Sequence, residues 1–140
     1  MAYDAQDLRR LMQEFSGGSD KRYRHTFNRR FIYTEGVQAV AEAAGAYWLL
    51  DKIALELAPL YAKTWLEGNA SIGVVKFTVP KDGTNLHPVV ILSLADDAPP
   101  AYEQALDFTT FPDGEWVFFL GTDEIGPESY VTTMCLPQEY

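Results

Sequence analysis

The order of the hydrophobic patterns predicts an α+β fold, with N-terminal helices packed on one face of a mainly antiparallel sheet of four to six strands. Two observations lead to this prediction. In the first half of the chain, apolar residues recur at the three- and four-residue spacing of helices. From residue 72 onward they alternate with polar residues or form short runs, as in strands. Helical patterns followed by strand patterns are typical of the α+β class.

The helical half contains two separate patterns. Residues 4–15 form an amphipathic helix pattern with Asp4 as a suitable N-cap, and the second pattern begins at the N-cap candidate Thr34. Gly45 divides the second pattern into two apolar stripes whose directions differ by roughly 220°, at about 100° per residue. We therefore expect the helix to break at Gly45 with a left-handed C-cap, and the following helix to end at Pro59. Residues 60–67 are expected to form a short helical tail after the proline.

The remaining segments are assigned mostly to strands. Residues 21–33 fit both a helical and an alternating pattern, and their aromatic content favours an extended conformation. Further strands are predicted at residues 75–79, 89–94, 105–111, 116–120 and 130–136. Because the sequence contains no internal repeat, low-complexity tract or linker, residues 1–140 are expected to form a single domain.

Six short motifs carry a resemblance to a known family. They are YRH at 23–25, NRR at 28–30, YTEGV at 33–37, GAYWLLD at 45–51, FTTFP at 108–112 and LPQEY at 136–140. With them, residues 15–140 resemble a bacterial and phage family catalogued only as a domain of unknown function. The resemblance implies no activity and no catalytic residue, because none is assigned to that family. It does imply a setting on plasmids, phages and integrated elements.

The composition limits the class of protein and its compartment. The single cysteine, Cys135, excludes an internal disulfide and a multi-cysteine zinc site, and it fits a reducing cytoplasm. The N-terminus lacks the apolar segment of a signal peptide. No run approaches the ~18 consecutive apolar residues of a membrane span. We therefore expect a soluble, cytoplasmic protein that does not interact with membranes.

The charges are distributed unevenly. The chain has a net charge of −9, and residues 82–140 contain eleven acidic residues without a single lysine or arginine. This acidity serves either solubility alone or an acidic face that binds a basic partner. The residues expected to form such a face are the loop acids Asp96, Asp97, Asp113, Glu115, Asp123 and Glu124.

Catalytic and cofactor sites have little support in the sequence. His25 is the best general acid–base candidate by residue type, with Asp51 or Glu35 to orient it, but local packing in the aromatic run is the favoured interpretation. A pair of Cys135 with His25 is a weaker alternative, because Cys135 lies in a predicted strand. The acidic doublets lack the spacing of a calcium loop, and no glycine motif for phosphate is present. No catalytic, cofactor-binding or metal-binding residue is therefore predicted.

Two features of the sequence bear on nucleic-acid binding. Four arginines are interleaved with aromatic residues: Arg22, Tyr23, Arg24, Phe27, Arg29, Arg30 and Phe31. Such a set can bind nucleic acid by charge and stacking, but the acidity of the whole chain opposes it. A helix-turn-helix around Gly45 is disfavoured, because the second helix begins with core residues and has Lys52 as its one base. We expect no direct contact with nucleic acid.

Together these observations favour a non-enzymatic binding protein of a mobile genetic element. Its acidic face would occupy a basic surface of a host protein, such as a nucleic-acid-binding defence complex, in the manner of an anti-CRISPR inhibitor. Two alternatives remain open. One is an interaction module, including a homodimer, whose acidity serves only solubility; the other is a small enzyme that uses His25.

Overall fold

Two of the described helices begin where a capping residue precedes an apolar stripe. The computed structural model describes residues 4–17, 21–81, 86–95, 98–107, 109–127 and 129–140. The helical segments are α1 (Ala5–Gln13), α2 (Glu35–Ala44), α3 (Tyr47–Lys52), a π turn (Ile53–Leu57), α4 (Ala58–Leu66) and a short 3₁₀ turn (Pro137–Glu139). None of these described helices is long and apolar enough to cross a membrane.

Both predicted N-caps and the predicted break are confirmed. The Oδ1 atom of Asp4 accepts the Asp7 N–H at 2.7 Å at the start of α1. The hydroxyl of Thr34 accepts the Val37 N–H at 3.3 Å at the start of α2. Gly45 ends α2 in the left-handed conformation, with φ 61° and ψ 40°. Only glycine adopts this conformation without steric cost, which is why the chain turns there.

The predicted end of the second helix at Pro59 is wrong. α3, the π turn and α4 follow one another without interruption from Tyr47 to Leu66. A proline inside a regular α-helix removes a hydrogen bond and clashes with a carbonyl of the preceding turn. Here the preceding turn is widened, because the Ala58 N–H donates to the carbonyl of Ile53, five residues earlier. The π turn therefore accommodates the proline and the helix continues.

The described strands form one seven-stranded sheet that is antiparallel except for one pair. The strands are β1 (Arg22–Arg24), β2 (Phe31–Thr34), β3 (Gly73–Val79), β4 (Val89–Ser93), β5 (Pro100–Ala105), β6 (Gly114–Gly126) and β7 (Ser129–Cys135). Their order is β1-β2-β7-β6-β3-β4-β5, and β2 pairs with β7 in parallel. The α+β class is confirmed. The strand count exceeds the predicted four to six because segment 21–33 adds β1 and β2.

The strand predicted at residues 105–111 is wrong. The strand lies earlier, at Pro100–Ala105, where it pairs with β4 at the edge of the sheet. An edge strand tolerates Pro100, whose missing N–H is not needed by a second neighbour. The chain then turns inward, and the Phe111 ring, 5% exposed, packs 5.2 Å from the ring of Phe77. Phe111 is therefore a core residue that does not belong to a strand.

The core lies between the helices and one face of the sheet. Trp116, Phe118 and Leu120 alternate along β6 and are buried on the side of the helices. From the helices, Leu50 and Ile53 are 3% and 0% exposed, and Trp48 is partly buried against the same core. The opposite face, called the open face, presents the other residues of each strand, and the Tyr140 ring packs there, 5.3 Å from the ring of Phe119. The loop and helix residues described next lie on the helix-facing side, whereas Cys135 and some of the predicted basic and acidic residues lie on the open face.

Candidate functional site

The loop between β1 and β2, residues 25–30, is fixed by His25. This side chain is 6% exposed, and its Nδ1 atom accepts the backbone N–H groups of Phe27 at 3.2 Å and Asn28 at 3.1 Å. Its Nε2 atom lies 2.8 Å from Oδ1 of Asp51 in α3. Because Nδ1 acts as an acceptor, the network places the proton on Nε2, which donates to Asp51. The imidazole thus binds the loop to the helix.

This arrangement brings together the predicted pair of His25 and Asp51. A general base needs a ring nitrogen that can reach a substrate proton. Here both nitrogens are already engaged, Nδ1 by two backbone N–H groups and Nε2 by the carboxylate. The geometry is that of a structural hydrogen-bond network that stabilises the loop.

Cys135 lies apart from His25. It alternates with the buried Met134 along β7 and pairs with Phe119 on the open face, whereas His25 lies on the helix-facing side. Burial, with the nearby Glu139 carboxylate as a smaller cause, raises the pKa of the Cys135 thiol to about 11. The thiol therefore keeps its proton at neutral pH, whereas a reactive cysteine is a thiolate.

Asn28 makes a second connection between the loop and the helix. Its Nδ2 atom donates to the carbonyl of Ala54 in the π turn at 2.8 Å. In the five-residue register of the π turn, this carbonyl would receive the N–H of residue 59, but Pro59 has none. The Asn28 amide supplies the missing donor. Proline, π turn and asparagine thus form one hydrogen-bonding unit.

Substitution of Asn28 by alanine is expected to lower the free energy of unfolding by about 1–3 kcal/mol, since it leaves a carbonyl without a donor. The effect should be smaller in a Pro59→Ala background, where residue 59 has its own N–H for Ala54. Urea unfolding of the two single variants and the double variant measures this coupling. Asn28→Asp is the matched control: it keeps the Oδ1 atom that accepts the Arg30 N–H at 3.1 Å but removes the donor. If the effects of Asn28→Ala and Pro59→Ala on the free energy of unfolding are additive, the two residues do not act as one hydrogen-bonding unit.

A groove of about 460 Å³ opens between this loop, the helix and β7. Its walls include Phe27, Arg29 and Arg30 of the loop, Leu55 and Pro59 of the helix, and Tyr130 of β7. Phe27 is 78% exposed and Leu55 is 54% exposed. A second hollow of about 370 Å³ shares Arg30 and Tyr130 and extends to Leu66 and Glu124. Because the two hollows share Arg30 and Tyr130, they form one surface, and the name groove refers to both of them from here on.

The groove has a local positive charge. The Arg30 guanidinium lies over the Tyr130 ring, 4.7 Å from its centroid. Neither Arg29 nor Arg30 forms an ion pair with any carboxylate of the described ranges. Among the described ion pairs, Arg10 and Lys52 are the arginine and lysine members, so the lack of an acidic partner is common in this chain. What is particular to the groove is that two arginines line it together. The groove therefore combines exposed apolar side chains with the positive charges of Arg29 and Arg30, and Glu124 lies at its far end.

The predicted basic and aromatic set is divided by the structure. Arg22 and Arg24 lie on β1, where they pair with positions on the open face of β2. Phe27, Arg29 and Arg30 lie at the groove on the helix-facing side. The set therefore does not form one continuous strip for a nucleic-acid backbone.

The predicted acidic residues do not form one patch either. Asp96 and Asp97 lie outside the described residues. Asp113 and Glu115 lie at the start of β6, and Asp123 and Glu124 lie near its end, about 26 Å away at 3.3 Å per residue. Glu115 and Asp123 share the open face, whereas Glu124 borders the groove. In the part of the chain that the structure describes, no group of three or more His, Cys, Asp or Glu could hold a metal ion.

Comparison with known proteins identifies a family but no characterised relative. No curated protein and no solved structure matches the chain. A family described as "Family of unknown function (DUF6876)" matches residues 6–140. The match covers all six motifs and both sides of the groove, and it confirms the resemblance to a domain of unknown function. The chain belongs to this family, DUF6876, whose function is unknown.

Proposed function

We propose that this protein acts by binding another protein and carries out no reaction of its own. The proposal depends on one observation: Phe27 and Leu55 are 78% and 54% exposed and line the same groove. Single exposed apolar residues are common on protein surfaces, but a group of them at a groove is typical of interaction sites. Aromatic residues and arginine are also enriched at protein interfaces, and both occur here.

The groove is organised before a partner binds. His25 and Asn28 attach the loop to the helix through hydrogen bonds of 2.8 Å each, to Asp51 and Ala54. A surface that is already ordered loses less conformational entropy on association. The same bonds leave His25 without a free nitrogen for chemistry, which supports binding over catalysis.

The finer form of the proposal concerns the partner. We propose that the partner is a cytoplasmic host protein, specifically a defence protein that binds nucleic acid. In this form the chain is an inhibitor of the anti-CRISPR kind. The setting on phages and plasmids that the motifs imply supports this form. Occupying a partner's surface needs complementary shape and charge but no catalytic group, which agrees with the character of the groove.

The test is affinity capture from host lysate with three forms of the protein. They are the wild type, Phe27→Ser and the matched control Leu86→Ser, which removes a 71% exposed side chain just before β4, towards the opposite edge of the sheet. Mass spectrometry should find a protein retained by the wild type and by Leu86→Ser but lost with Phe27→Ser. Equal retention by all three forms would exclude the groove as the contact.

A second candidate for the contact is the acidic strand β6. The absence of lysine and arginine from residues 82–140 favours it. The two acidic pairs at opposite ends of β6, Asp113 with Glu115 and Asp123 with Glu124, would serve as independent contacts to a basic partner. In this form the chain competes with nucleic acid for the partner's basic surface.

Reversing one acidic pair to lysines is expected to slow association with the captured partner by about tenfold, because long-range attraction speeds encounter. The effect should fade with salt, as the Debye length falls from ~10 Å at 0.1 M to ~3 Å at 1 M. Binding kinetics at two salt concentrations measure this for each of the two reversed pairs separately.

If both variants with reversed pairs associate at the wild-type rate, and this rate does not depend on salt, the acidic residues serve solubility and not partner binding. The remaining alternative is then an interaction module that binds a second copy of itself, which light scattering during size-exclusion chromatography detects as a doubled mass.

A further inference from the structure

We propose that the groove binds a short acidic segment of a partner protein, about five extended residues with large apolar side chains. This inference rests on the proposed binding function and names the class of ligand. It is carried by three features of the groove: its charge, its apolar stripe and its length.

The charge comes from Arg29 and Arg30. Neither has an acidic partner among the described residues, although the chain has a net charge of −9. The ring of Tyr130 holds the Arg30 guanidinium in place at 4.7 Å, so its orientation is set before binding. A stacked guanidinium keeps its N–H donors at its edge, where they match the two oxygens of a carboxylate. The ligand therefore carries carboxylates.

The apolar stripe sets the length of the ligand. Leu55, Pro59, Ala62 and Leu66 follow one another at helical spacing along the groove. Leu55 and Leu66, at the two ends, are 54% and 59% exposed. Eleven residues of helix correspond to about 16 Å, at 1.5 Å per residue. An extended peptide covers that distance with about five residues, at 3.3 Å each. Apolar side chains at both ends of such a segment would reach both leucines.

A nucleic acid fits this groove less well. Binding to single strands relies on several basic residues and on aromatic rings free to stack. Of the aromatic rings that line the groove, Tyr130 already stacks with Arg30 and Trp65 packs against Tyr130, which leaves Phe27 alone to stack on a base. An acidic peptide meets the same two arginines but gains most of its binding from apolar contacts.

Fluorescence anisotropy with labelled synthetic probes tests the inference. Each probe is about twelve residues long and so is longer than the binding segment, which is about five extended residues. The first probe is a peptide that contains glutamate and leucine. The second and third are the same peptide with its leucines replaced by serine and with its glutamates replaced by lysine. The fourth probe is oligothymidylate. The glutamate–leucine peptide should bind at least about tenfold more tightly than each of the others.

Variants of the protein locate the contact. Phe27→Ser, and Arg29→Ser together with Arg30→Ser, should each weaken binding of the glutamate–leucine peptide by about tenfold or more. Two controls should stay within about twofold, because isolated surface changes have small effects. They are Leu86→Ser, and the charge-matched Arg10→Ser with Lys76→Ser, which removes two exposed positive charges away from the groove. All of these side chains are exposed, so the fold should be retained, as circular dichroism will verify.

Two results would overturn the inference. One is preferred binding of the oligothymidylate or of the lysine peptide; the other is no binding of the glutamate–leucine peptide. The capture experiment separates either result from failure of the proposed function. A host protein whose retention requires Phe27 but not the two arginines would keep the binding function and reject the acidic ligand.

Discussion

Replacing Leu50 by alanine is expected to lower the free energy of unfolding by about 2–5 kcal/mol, the range for removing a large buried aliphatic side chain. Leu50 is 3% exposed and belongs to the core between α3 and the sheet. The melting temperature should fall by roughly 6–15 °C for a domain of this size. Differential scanning calorimetry and urea unfolding measure both quantities.

The chain supplies its own control for that experiment. Leu55→Ala removes the same atoms five residues along the same helix, but Leu55 is 54% exposed. Its effect on stability should stay within about 0.5 kcal/mol, as for other surface positions. If Leu50→Ala melts within a degree or two of the wild type, or if the two variants behave alike, α3 does not contribute to the core as described.

Replacing Glu139 by alanine is expected to cost on the order of 2–3 kcal/mol, because its carboxylate accepts several charge-assisted hydrogen bonds. One oxygen accepts the Thr34 hydroxyl at 2.5 Å and the Leu136 N–H at 2.9 Å, and the other accepts the Gly36 N–H at 3.2 Å. The negative charge also lies at the N-terminus of α2, where the helix dipole favours it. Urea unfolding of the variant provides the measurement.

Two further variants separate the parts of this effect. Glu139→Gln keeps an acceptor oxygen without the charge, so its cost should lie between those of the wild type and Glu139→Ala. Glu35→Ala also removes a carboxylate at this end of α2, but that carboxylate accepts no hydrogen bond from a described residue. The substitution should lower the free energy of unfolding by about 0.3–1 kcal/mol. Gly36 belongs to the same contact, since an added Cβ would lie 2.7 Å from the Glu139 carboxylate. A cost for Glu139→Ala no larger than that for Glu35→Ala would contradict the role of these hydrogen bonds.

Local features of the fold were predictable because they depend on neighbouring residues. Asp4, Thr34 and Gly45 act where their own backbone geometry requires them, so their positions in the sequence identify the helix ends. The effect of Pro59 was not predictable, because its accommodation depends on an amide donor from Asn28, 26 residues before Ala54. Periodicity describes a single element and carries no information about hydrogen bonds from a distant loop.

The groove was only partly predictable for the same reason. Residues 27–30 stand out in the sequence as a basic and aromatic motif, and an exposed leucine at 55 falls outside the stripe of Leu50, Ile53 and Leu57. Nothing in the sequence indicates that these two segments meet, or that β7 brings Tyr130 against Arg30. The pairing of His25 with Asp51 was open among several partners until the fold placed them together.

The parallel pairing of β2 with β7 has a consequence for the order in which the chain folds during synthesis. β2 leaves the ribosome well before its partner strand and before the carboxylate that binds Thr34, which lies 105 residues later. β3, β4 and β5, in contrast, pair in the order of synthesis and close short loops. β3, β4 and β5, at one end of the sheet, can therefore pair before β7 is made, whereas the pairing of β2 with β7 has to wait for it. A ribosome that stalls before β7 leaves the aromatic edge of β2 unpaired and open to aggregation.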